Sequence, residues 1–244
     1  MTNNRPKSIL LFSIGMVLCA LVLQGCATST HQSRTHVSLN QGANWHNAEL
    51  TVAPVDAKIY ELTASGALEE RPDWSEKSRT VIGEAAKEKL QEMFAMDAVP
   101  WLTLSASEQK VLEEHIALYN VLSSAQGIKA ISTEWDKRFD QQDMCLGPGL
   151  AFLSYKSEAD IMVVFVGRQA KSTGGRIAVM VMAAAAGVVM PTGQSHLEVA
   201  AIELSTGNVL WRNAAISPSY DLLDRSGVDG MIAKVLKDFG ELTR

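Results

Sequence analysis

Cysteine is scarce. Three thiols in 244 residues cannot build a disulfide framework, so the fold has to rest on an apolar core, which a chain of this length is able to bury. Positive charge is also short. With 22 Lys and Arg against 27 Asp and Glu, the net charge is -5, which gives no cationic field for nucleic acid. Aromatic residues make up only 6%. No apolar run reaches the ~20 residues of a spanning helix. Motifs of catalysis are missing too: the sequence contains no G-x-S-x-G, H-E-x-x-H, C-x-x-C, P-loop or G-x-G-x-x-G pattern.

What is present begins at the amino terminus. Arg5 and Lys7 precede an apolar run from Ile9 to Leu23, and Leu23-Gln24-Gly25-Cys26 follows. A short positive region and an apolar stretch of this length form an export signal. The tetrapeptide resembles the bacterial lipobox, in which a small residue precedes a cysteine that is cleaved at its amino side and acylated. The resemblance implies lipidation at Cys26, with enough buried acyl chain for stable anchoring. Ala27 stands where an Asp retains enteric lipoproteins at the inner membrane, so the resemblance favours the outer membrane and a periplasmic domain. The alternative is an uncleaved signal anchor. Cleavage removes two basic residues and leaves 20 against 27 acidic ones.

Residues 26–47 contain the acylated Cys and a Ser-, Thr-, Asn-, Gln- and His-rich stretch expected to be a flexible tether. His31, His36 and His46 match no metal-site spacing. Residues 48–244 are read as a single periplasmic domain.

Within it, Glu49 to Leu62 predicts a strand that leaves its sheet at Pro54. An amphipathic helix is expected from about Glu76 to Met96, and a second, opened by Ser105 or Ser107, reaches about Ser124. A short helix follows over Leu150 to Ser157. The continuous apolar run Asp160 to Gly167 predicts a central strand covered on both faces. Gln194 to Leu204 and Val209 to Ile216, joined across Ser205-Thr206-Gly207-Asn208, predict a hairpin. Gly227 to Leu242 has the spacing of a final helix. The fold class expected is α+β, three-layer and α/β-like, with a mixed, largely antiparallel sheet and a long hairpin flanked by helices. Cys145 is expected to be buried.

The lipobox, the Ala159-Asp160-Ile161 strand opening and the hairpin Ile202 to Trp211, with its Thr206-Gly207-Asn208-Val209-Leu210-Trp211, resemble a group of Gram-negative lipoproteins. The group includes the curli secretion component, the penicillin-binding-protein activator of the LpoB type and lipoproteins of the GNA type. The match covers about 60 residues of the mature chain plus the anchor, and its motifs are structural. It implies an envelope lipoprotein and assigns no activity.

The chain departs from that group between Gly175 and Pro191, where an Ala-, Met- and Val-rich run with no charge after Arg176 lacks the polar-apolar alternation of a barrel strand. Two readings stand: a buried element, or an interaction segment carrying Ile177, Val179, Val181, Val188 and Met190 that meets a membrane or a second copy. Asp160, Glu198, Glu203, Asp221, Asp224 and Asp229 are candidate carboxylates, but no spacing pairs them for acid/base work. His196 and Glu198 share one side of a strand and lack a third ligand.

No catalytic residue, metal or cofactor is therefore expected. The leading reading is a non-catalytic outer-membrane lipoprotein that serves as an accessory or assembly factor of an envelope secretion or transport complex, with a protein partner or self-association. The alternatives are a regulator that activates a peptidoglycan synthase, and a periplasmic hydrolase without a recognisable motif.

Overall fold

The computed structural model describes residues 30–35, 48–94, 102–127, 144–188, 190 and 192–239. Seven strands form one sheet: β1 (Thr30–Thr35), β2 (Leu50–Val52), β3 (Asp56–Leu62), β4 (Leu68–Glu70), β5 (Ile161–Ser172), β6 (Ser195–Glu203) and β7 (Val209–Ser217). The order is β1-β7-β6-β5-β3-β4, with β2 also on β5. The helices are α1 (Pro72–Phe94), α2 (Ala106–Gly127), α3 (Ala151–Ser157), α4 (Gly174–Ala185) and α5 (Arg225–Val235). This is the α+β class with a mixed sheet: β2 and β3 run parallel to β5, and the other pairings are antiparallel.

The centre is β5. Its apolar run alternates, so Ile161, Val163 and Phe165 enter one core while Met162, Val164 and Val166 enter another. The first core is closed by α1 through Ile82, Ala86 and Leu90 and by α5 through Val228, Met231 and Val235. The second is closed by Leu112 and Tyr119 of α2 and Leu153 of α3. Three layers result because both faces of the central strand are apolar and each needs a cover. Gly167 allows close approach, since a Cβ there would stand 3.0 Å from Ile82 Cδ1.

The stretch 49–62 keeps to the edge of β5 on both sides of Pro54. Val52 pairs with Val163 and Asp56 with Val166, so four steps on one strand match three on the other. The proline, lacking an N–H, sits in the bulge. Downstream, β4 lies in a segment for which the sequence predicts no element. A three-residue edge strand with no buried position leaves no period to read.

The tether expectation is corrected in part. Residues 30–35 pair with β7 from Thr30 opposite Ile216 to Thr35 opposite Trp211. Strand pairing satisfies backbone groups whatever the side chains, so the polar composition of this stretch does not keep it out of the sheet. The expectations for His36 and His46 fall outside the described residues.

Candidate functional site

The α2 face of the sheet holds a row of polar side chains. Cross-strand pairing aligns Asp56 with Val166 and Glu198, and Arg168 with His196, while Arg212 lies opposite Ala200. α2 descends on this row. Its start is a capping box: the Ser105 N–H donates to Glu108 Oε2 at 2.9 Å and the Glu108 N–H to Ser105 Oγ at 3.4 Å. Lys156 of α3 joins Glu108 at 2.5 Å, and that contact, with the Ser105 donors, holds the Glu108 carboxyl down to about 2.

Glu198 is the hub and is 5% exposed. The Tyr119 hydroxyl donates to its Oε1, and Ser123 Oγ lies 2.6 and 2.7 Å from its two oxygens. Arg212 NH1 stands 3.4 Å away and His196 Nε2 3.9 Å. A buried charge is tolerable when paired and hydrogen-bonded, and Glu198 has both. Burial, reinforced by the Glu198 charge, keeps the Tyr119 hydroxyl protonated well above its ordinary range. Burial lowers the His196 imidazole below 6.5, with Arg168 and Arg212 adding to that and Glu198 opposing it.

A second tie lies beside the first. Arg168 NH2 meets Asp56 Oδ2 at 2.6 Å and Asn120 Nδ2 donates to the same oxygen at 2.8 Å. Burial pushes the Asp56 carboxyl up, yet Arg168 and Asn120 outweigh it and leave the group below the ordinary carboxylate range. The two clusters clamp α2 to the sheet. Glu198 has its oxygens engaged by its own chain.

The remaining candidate carboxylates are dispersed. Asp160 accepts from the Glu49 N–H, Glu203 from the Thr206 hydroxyl within the hairpin turn, and Asp221 pairs with Lys171 at 2.7 Å. Asp224 caps α5 by accepting from the Gly227 N–H, and Asp229 pairs with Arg225 at 2.8 Å. Among the described residues no three His, Cys, Asp or Glu side chains gather in a metal-binding group. Cys145 is exposed, against the expectation of burial. It bridges to Asn208 at the mouth of the hairpin turn, where the chain passes over the sheet end.

The apolar run is not an element of the core, which corrects the buried reading. The segment forms α4, capped by Thr173, which accepts from the Arg176 N–H. Ile177, Val181 and Val188 are exposed, as is Met182, while Val179 and Met190 are half-buried. Arg176 is buried against the β3–β4 turn near Gly66. No described helix is long and apolar enough to cross a membrane. Leu23, Gln24, Gly25 and Cys26 lie outside the described residues.

The sequence missed the polar row because its members come from four distant segments. A Tyr119-x-x-x-Ser123 step on an otherwise apolar helix face, opposite an acidic residue in an apolar strand, was the signal available.

No protein-family model matches this chain, and no curated protein matches it. Solved structures do. The PelC dodecamer from Paraburkholderia phytofirmans is similar at a TM-score of 0.40 and 13% identity, covering 88% of this chain and 98% of that one. A variant of the same protein gives 0.40 and 12%, covering 89% and 100%. Similarity of this degree leaves function to be read from this chain's own residues.

Proposed function

We propose that the protein is a non-catalytic lipoprotein, acylated at Cys26, anchored in the outer membrane and facing the periplasm, where it serves as an accessory or assembly factor of an envelope complex. The observation that carries this reading is the order of Arg5 and Lys7, the Ile9 to Leu23 run and Leu23-Gln24-Gly25-Cys26. Basic region, apolar run and small residue before cysteine are the parts an export and acylation signal requires. The position of β1 supports a site of action at the membrane surface. Thr30 is only four residues beyond Cys26, a reach of at most about 14 Å at ~3.5 Å per residue. A regulator that crosses the cell wall to reach a peptidoglycan synthase needs a far longer tether.

The test is metabolic labelling with palmitate in the native host, with sucrose-gradient fractionation. Label on the wild type, absent from Cys26→Ala, and recovery with outer-membrane markers are expected. An unlabelled wild type overturns the lipoprotein reading. Cross-linking and purification of the acylated protein then decides the role. One envelope assembly is expected as partner, whereas a penicillin-binding protein would turn the assignment toward the regulator.

A further inference from the structure

Exposed large apolar side chains are not scattered evenly over the described residues. Of the nine, Leu68, Ile177, Val181, Met182, Val188 and Ile216 belong to one end of the sheet, the end at which β5 and β7 finish and β6 begins. Leu68 pairs with Leu62, itself opposite Ser172, the last residue of β5. α4 leaves from there two residues later.

The same end receives the amino-terminal chain. β1 is antiparallel to β7, and Thr30 pairs with Ile216, one residue from the carboxyl end of β7. β1 thus begins at the end of the sheet from which α4 leaves. Three strand spacings of ~4.8 Å separate β1 from β5. Four residues span at most ~14 Å, so α4 is within reach of an anchor at Cys26.

α4 has the composition of a surface that meets hydrocarbon. From Ile177 to Met190 every side chain is apolar or absent, and no Asp, Glu, Lys or Arg occurs between Arg176 and Glu198. Protein-protein interfaces keep a polar rim around an apolar centre, and this segment offers none. A helix that is apolar all round belongs in a core or in lipid, and α4 is not in the core. At 12 residues it is about 18 Å long, too short to span.

We propose that α4 is a second membrane contact: it lies in the surface of the same leaflet that the acyl chains of Cys26 enter. The domain is then held at two points, the lipid at the β1 end and the helix beside it, and the sheet end faces the bilayer in a fixed orientation. The inference rests on the lipoprotein reading.

The test uses the acylated protein in vesicles of phosphatidylethanolamine and phosphatidylglycerol. A Cys145→Ser background removes the exposed thiol, and Val181→Cys carries a polarity-sensitive dye. Val121→Cys on α2, 66% exposed like Val181 at 65%, is the control. The expected result is blue-shifted emission at 181, quenched several-fold by brominated acyl chains, with emission at 121 unshifted and unquenched. Equal, unquenched emission at both sites overturns the proposal. A blue shift at 181 that brominated lipid does not quench, and that grows with protein density, overturns it in favour of a second copy covering α4.

The mass of the amino-terminal peptide reads the anchor separately. If Cys26 carries no acyl group, the lipoprotein reading fails. The dye-labelled protein added to preformed vesicles then still decides α4: flotation with quenching sustains the contact, and no flotation overturns it.

Discussion

Tyr119, on the buried face of α2, donates its hydroxyl proton to Glu198, on the facing strand β6, and both side chains are shut away from water. With Ser123–Glu198 and Asn120–Asp56, the pair ties α2 to the sheet through polar contacts set among apolar ones. Removing the donor leaves a buried carboxylate one bond short, which costs about 1–3 kcal/mol. Tyr119→Phe is expected to lower the thermal midpoint by roughly 2–4 °C per kcal/mol for a domain of this size. Glu198→Ala should cost more, about 3–5 kcal/mol, because Arg212 is left buried without its counter-charge. Differential scanning calorimetry of the two variants gives the order.

His196 makes stability depend on pH. The unfolded chain takes up a proton on this imidazole near 6.5, whereas the folded protein does so only at lower pH, chiefly because of burial. Protons therefore favour the unfolded state between the two values. Stability should decline as pH falls through 6.5 and level off once the folded imidazole also titrates. Urea unfolding of wild type and His196→Gln between pH 7.5 and 5 should show a shallower decline in the variant; parallel curves would refute the assignment.

Gly207 turns the hairpin at φ +78, and a Cβ there would lie 2.0 Å from the Gly147 carbonyl oxygen. The left-handed backbone and the crossing chain at Gly147 both exclude a side chain. Gly207→Ala should destabilise by more than about 1 kcal/mol, measured as a fall in the urea midpoint. Asn208→Ala, one residue on, is the matched control.

At the start of α2, Ser105→Ala removes the cap and should cost about 1 kcal/mol. Since Lys156 also bonds Glu108, the variant is expected to keep α3 docked. Amide exchange should rise in the first turn of α2 and not over 151–157.

Legibility followed periodicity. The hairpin, the central strand and α1 were readable because each carries an uninterrupted period of two or 3.6, or an apolar run of strand length. The sequence left the cap of α2 between Ser105 and Ser107, and the reciprocal bonds of Ser105 with Glu108 decide for the first. β1 and β4 were not, since neither has an apolar face and both owe their strand form to neighbours far along the chain. α4 defeated the reading for the opposite reason: a run with no polar position has no face, so composition cannot separate a core helix from an exposed one. The polar row needed α2, β3, β5, β6 and β7 to be assembled before Asp56, Tyr119, Ser123 and Glu198 could be seen as neighbours.

The placement of β1 also has a mechanical side. In the proposed anchoring, the strand nearest Cys26 is an edge strand, and its first residue faces the bilayer. Tension between a lipid held in the membrane and a partner held by the domain runs along β1 and not across it. The six residue pairs from Thr30–Ile216 to Thr35–Trp211 then share the load in shear instead of opening one after another, so the join best placed to resist a pull is the one next to the tether.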